Sequence, residues 1–127
     1  MIILDMPLKK EWYNMIERGE KPEEYREKKA YWIVRLLEWR YVRGLHVVSD
    51  PVTMDMAKRI AETGLEYGLN GLPINLYPKR YDAVRFSYGY TKRRMLWEYR
   101  GLSLGQGRPE WGAPDDETFI IKLGKRL

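Results

Sequence analysis

Lys21, Glu24 and Arg26 are the residues of this 127-residue chain whose types and spacing could do chemistry. They stand in the run Gly19-Glu20-Lys21-Pro22-Glu23-Glu24-Tyr25-Arg26, where a glycine precedes two cations and one carboxylate able to serve a single small anionic partner. A guanidinium grips phosphate or carboxylate in a two-pronged fork, whereas an ammonium acts as a mobile point charge. Glu24 can orient either cation, accept a hydrogen bond from a base edge or sugar hydroxyl, or work as an acid or base. The spacing also fits a simpler arrangement, a helix-ending glycine followed by solvated charges on a strand.

The elements around this run must do the positioning. Leu8, Trp12, Met15 and Ile16 recur at helical spacing over Leu8 to Arg18, and Gly19 follows as a left-handed cap. Pro22 to Glu27 reads as extended, with Glu24 and Arg26 on one face and Glu23 and Tyr25 on the other. Lys21 falls out of phase, so it reaches the same place only if the Gly19–Pro22 turn rotates it inward. Before this unit, Met1 to Met6 forms a first strand ended by Pro7. After it, Lys28 to Arg40 is expected to be a second helix, and a third begins near Ser49-Asp50-Pro51 and fades at Gly64 or Gly68. Asn70-Gly71 marks a turn, and Leu72 to Pro78 is irregular or a short strand. From Tyr81 the alternation of Val84, Phe86, Tyr88 and Tyr90, then Met95, Trp97 and Tyr99 across a turn at Thr91–Arg93, predicts a hairpin. A breaker-rich loop, Gly105 to Pro114, precedes a last strand with Phe119, Ile121 and Leu123 facing inward. That loop lacks the Lys-Ser/Thr pair of a phosphate-binding loop.

Gly19, Lys21, Glu24 and Arg26 fit G-x-K-x-x-E-x-R, and on this motif the chain resembles the ASCH domain family of the PUA-like superfold. The opening Ile2–Pro7 strand, the helix before Gly19 and the closing Phe119–Gly124 strand look like the family's start and end. The resemblance implies an α+β fold: a single domain over residues 1–127, with a small PUA-like β-barrel flanked by helices. Residues 38–80 then read as a helical insertion, scaffold or lid. It also implies a cleft for RNA or a nucleotide-like ligand.

Composition sets the outer bounds. The 44% hydrophobic and 32% charged content fits a globular chain of one domain. No apolar run approaches the roughly 18 residues of a membrane-spanning helix. The first residues do not read as a secretory signal, and the lack of cysteine leaves no disulfide or thiolate metal site, so a cytoplasmic location is the expectation. A net charge of +5 favours polyanions in a salt-dependent way. Tyr31, Trp32, Trp39 and Tyr41 lie among Lys28, Lys29, Arg35, Arg40 and Arg43 and could stack unpaired bases, although at helical spacing such rings more often fill a core.

The candidate ligand-binding residues are therefore Gly19, Lys21, Glu24, Arg26, Tyr25, Arg108 and Trp111, with Tyr25 and Trp111 as possible stacking platforms. Arg85, Lys92, Arg93 and Arg94 could follow a phosphate backbone or form a solvated basic face. His46 reads as a structural histidine, and Asp115, Asp116 and Glu117 as a solvated acidic turn; no metal or cofactor is implied. Two functions from different classes remain. One is a module that binds RNA or a nucleotide. The other is a small hydrolase with Lys21 and Glu24 as catalytic residues, acting on RNA or on an acylated cytidine. Some relatives in the resembling family are such amidohydrolases, but Glu24 stands where their motif carries a threonine. A domain that binds a protein partner is a blander third option, with no positive sign in the sequence.

Overall fold

The computed structural model describes residues 1–63 and 75–127. Strand β1 (Ile3–Leu8) leads into helix α1 (Lys10–Glu17) and strand β2 (Glu23–Arg26); then come helix α2 (Ala30–Leu36), strands β3 (Leu37–Arg43) and β4 (His46–Pro51), and helix α3 (Met54–Thr63). Strands β5 (Leu76–Pro78), β6 (Ala83–Tyr88), β7 (Arg94–Gly105) and β8 (Thr118–Arg126) follow, with a 3-10 turn at Pro109–Trp111 between the last two. The expected α+β class is what the chain adopts. One sheet has the order β1-β6-β7-β8-β2 and curls into a half-barrel. A smaller sheet has the order β4-β3-β5. Among the described residues only the β1–β6 pairing is parallel; the other ladders are antiparallel.

Curvature has a local cause. The β7–β8 register shifts between Trp97 and Tyr99 and again between Tyr99 and Gly101, and Gly101 has φ +121°. An extra residue at such bulges bends a strand and raises its twist. The long β7 therefore wraps, and the sheet's inner face closes on Tyr13 and Ile16 of α1 and Ile33 and Leu36 of α2. Leu4, Met6, Val84, Phe86, Phe119 and Ile121 supply the sheet's side of this core.

Three boundaries depart from the sequence reading. Pro7 does not end β1 but lies within it, because β1 is a sheet edge and a residue facing outward needs no ladder N–H. The helix expected over 28–40 stops at Leu36. Leu37 to Trp39 instead pair with Leu76 to Pro78, and Glu38 to Arg43 pair with His46 to Pro51 across a turn at Gly44, where φ is +64°. The aromatic and β-branched residues Trp39, Tyr41, Val42, Val47 and Val48 favour that hairpin and override the helical spacing before it. The third helix starts later than expected because Ser49 to Pro51 belong to β4; Thr53 caps it, accepting the Met56 N–H through Oγ1 at 3.3 Å. In place of a helical insertion, the described part of 38–80 holds a hairpin, one helix packed on α2 and a short strand. The expected helix end at Gly64 or Gly68 and the Asn70-Gly71 turn lie outside the described residues. The β6–β7 hairpin forms as expected, turning from Gly89 and extending to Gly105.

Candidate functional site

Lys21 is turned inward by the way α1 ends. The Gly19 N–H donates to Ile16 O at 3.0 Å and the Glu20 N–H to Met15 O at 3.0 Å, with Gly19 at φ +79°. This is a Schellman cap, which a side chain at the glycine position would strain. Lys21 N–H adds a third bond to Met15 O at 3.3 Å, and the chain emerges with Lys21 pointing into the protein. Its side chain is 1% exposed. Nζ lies 2.9 Å from Glu24 Oε1 and donates to the Trp111 carbonyl. The Trp12 and Tyr25 ring centres lie 4.9 and 4.8 Å from Nζ. The rings' electron-rich faces supply the cation with what water otherwise would.

Glu24 sits between the two cations. Oε1 accepts from Lys21 and from the Tyr25 N–H at 2.9 Å, while Oε2 accepts from Arg26 NH1 at 2.7 Å. The expected alternation therefore holds: Glu24 and Arg26 share a face, while the Tyr25 hydroxyl donates to Glu23 at 2.7 Å on the other. Arg26 also donates to its neighbour's carbonyl, Tyr25 O, at 2.7 Å and to Pro7 O at 2.9 Å, and its guanidinium carbon lies 4.9 Å from the Trp32 ring centre.

The breaker-rich loop closes over this unit. Gly107 passes so near Tyr25 that a Cβ there would lie 2.3 Å from the ring, and a Cβ on Gly112 would lie 2.7 Å from Trp12. The Arg108 N–H donates to the Tyr25 hydroxyl at 3.1 Å. Burial pushes the Tyr25 phenol well above the usual tyrosine range; the Arg108 N–H opposes this and the Glu23 hydrogen bond adds to it.

Against this scaffold opens a cleft of about 450 Å³, within the size range of small-ligand sites. Arg26, Trp12 and Trp32 line it, with Lys9 and Lys29 supplying further positive charge and Glu24 reaching its wall. The motif side chains thus converge, but not as equals. Arg26 and Glu24 face the cleft, whereas Lys21 lies behind them as a buried strut. Gly19 serves as the helix cap. Tyr25 contributes to the lining but is 5% exposed and committed to the loop. Arg108 and Trp111 do not line the cleft; they stack on each other at 4.7 Å, and the loop contributes Gly112, Ala113 and Pro114 to the lining instead.

Trp12 and Lys9 were not among the sequence candidates, whereas Trp32 and Lys29 belong to the aromatic and basic run that could stack unpaired bases. Both indoles sit at helical spacing, and helix positions alone do not separate a core ring from a rim ring. His46, expected as a structural histidine, is exposed on the hairpin. Asp115, Asp116 and Glu117 are exposed, with Glu117 3.1 Å from Lys28. Among the described residues no three His, Asp or Glu side chains are grouped to hold a metal ion, and no helix is long and apolar enough to cross a membrane.

The arrangement can grip an anionic group with Arg26, stack a planar group on an indole, and accept a hydrogen bond at the edge of Glu24. Compared with protein-family models, curated proteins and solved structures, the chain matches none.

Proposed function

We infer that the cleft binds RNA or a nucleotide-like ligand, with Arg26 on phosphate and the base against Trp12 or Trp32. The observation that carries this reading is Arg26: its guanidinium is fixed by Glu24 and Pro7 O while still lining a cleft with two half-buried indoles. A fork held in place loses little freedom when it takes a phosphate, and each stacked base adds about 1–3 kcal/mol. The resemblance of Gly19, Lys21, Glu24 and Arg26 to the ASCH motif supports the same ligand class. A PUA-like relationship and a cytoplasmic location belong to this reading as well.

A hydrolase using Lys21 and Glu24 has less support. Lys21 Nζ is enclosed by Glu24, the Trp111 carbonyl and two rings, and Glu24 uses both oxygens to hold cations. Fluorescence anisotropy at low salt tests the binding reading. Short single-stranded RNA and nucleoside monophosphates bind, and Arg26→Gln weakens both by about tenfold, the scale of one charge-assisted contact. Equal affinity in the Arg26→Gln protein, or no binding by the parent, overturns it.

A further inference from the structure

A second hollow, of about 470 Å³, opens on the outer face of the curled sheet. Its floor follows from strand register. Asp5 pairs with Arg85 and Pro7 with Ser87, and Ser87 pairs in turn with Arg94, so these outward side chains form two adjacent rows. Arg35 reaches in from α2. Three guanidiniums thus face one carboxylate. Asp5 holds Arg85 at 2.6 and 3.0 Å, while Arg35 and Arg94 have no carboxylate in ion-pair range among the described residues. Arg35 is fixed by donating to Tyr31 Oη at 2.9 Å and to Asp5 O at 2.8 Å. Arg94 donates only to carbonyls of its own turn, Thr91 O and Arg93 O.

The two hollows share a wall. Pro7 lines both, and the Trp32 indole carries Arg26 at 4.9 Å and Arg35 at 5.5 Å. Arg26 and Arg35 are also anchored on the same free strand edge, at the carbonyls of Pro7 and Asp5. A strand rises about 3.3 Å per residue, so those anchors are about 7 Å apart, within the reach of one nucleotide step. One further role of these arginines is plain: they cover an edge that could otherwise pair with another strand. That role accounts for Arg35 but not for Arg94 or Arg85, which touch no edge carbonyl of β1.

We propose that the Arg35–Arg85–Arg94 hollow is a second phosphate subsite, so that the ligand is a single-stranded RNA crossing Pro7 from one hollow to the other. This rests on the binding reading of the first cleft and extends it from a nucleotide to a strand. Asp5 acts as an internal competitor: it occupies Arg85 until a backbone phosphate arrives.

Binding is measured by titration calorimetry with uridine monophosphate, an oligouridylate of about four nucleotides, inorganic phosphate and an oligoglutamate of matching charge. The oligouridylate binds more tightly than the monophosphate. Arg94→Gln weakens the oligouridylate by about three- to tenfold and lowers its salt slope by about 0.7, as loss of one phosphate contact requires. The same variant leaves the monophosphate unchanged. Asp5→Asn, which frees Arg85, shifts oligouridylate affinity in the opposite direction. The subsite is overturned if the two uridine ligands bind equally, if Arg94→Gln weakens neither or both, or if oligoglutamate binds as well as RNA with the same loss. It is likewise overturned if inorganic phosphate alone accounts for the Arg94 effect. Failure of the first-cleft reading looks different: the monophosphate does not bind, or Arg26→Gln leaves it unaffected.

Discussion

Two clusters of opposite charges in this molecule use similar groups in different solvents. Around Glu24 the side chains of Lys21, Glu24 and Arg26 are 1%, 5% and 16% exposed. At Asp5 and Arg85, on the far side of Pro7, exposures are 55% and 43%. Water competes for every bond in the second cluster, so its arginine can exchange one anion for another at small cost. In the first cluster water is largely absent, and each group depends on the others for its solvation. The buried cluster is therefore built to hold a geometry, and the wet one to trade partners. Arg26 stands at the boundary, fixed on one side and open to the cleft on the other.

Removing one member from each cluster should break the contrast if it is false. Lys21→Met leaves the Glu24 carboxylate buried with half its counter-charge and unpins the Trp111 carbonyl. A loss of about 3–5 kcal/mol in urea unfolding is expected, the range for orphaning a buried ion. Arg85→Ala removes a pair that water replaces, and its unfolding midpoint should coincide with that of the parent. Comparable losses from the two substitutions would mean that hydration does not separate the clusters.

A smaller effect sharpens the buried side by testing the loop that covers it. Gly112 has φ +89°, and a Cβ there would meet the Trp12 ring at 2.7 Å. Gly112→Ala must strain the backbone and displace the ring or the loop, at about 1–3 kcal/mol. Because Trp12 also lies over Lys21 and lines the cleft, tryptophan fluorescence should shift and, on the proposed binding role, RNA affinity should fall with it. Destabilisation with unchanged affinity would show that the loop closes the core without shaping the cleft.

The legible parts of the sequence were those where local and long-range preferences agree. Gly19 after an amphipathic helix specified its own cap, and two-residue alternation placed Glu24 beside Arg26 without knowledge of β8. The inward turn of Lys21 was a condition the sequence could state but not decide, because it depends on three bonds to the carbonyls of Met15 and Ile16. The middle of the chain misled for the opposite reason. Leu36 and Leu37 are both fully buried, one ending a helix and the next opening a strand, so hydrophobic spacing runs unbroken through a change of structure. The second hollow was legible only in part, as cations that could follow a phosphate backbone or form a solvated face. Arg85 and Arg94 stood among those cations, but only strand register set them side by side, with Arg94 opposite Ser87 and Arg85 opposite Asp5.

The smallest expected effect concerns pH and isolates what burial of a phenol on β7 contributes to stability. Burial pushes the Tyr99 phenol above the usual tyrosine range, and neighbouring Tyr81 adds to the shift; Tyr81 is itself raised by burial. Both neutral phenols stay protonated in the fold where the unfolded chain would ionise. Below about pH 10, the ordinary tyrosine value, folded and unfolded states carry the same proton and these groups leave stability independent of pH. Above it the unfolded state releases the proton first, so stability falls as pH rises toward the raised folded value. Tyr25 should contribute to the same decline, for it too is raised chiefly by burial. Tyr99→Phe removes one ionisable group while keeping the ring beside Tyr81, 5.6 Å between centres. Urea midpoints compared at pH 8 and pH 10.5 should therefore drop less in the Tyr99→Phe protein than in the parent. An equal drop would assign alkaline loss to groups other than this phenol, with Tyr25 and Tyr81, both raised chiefly by burial, as the next place to look.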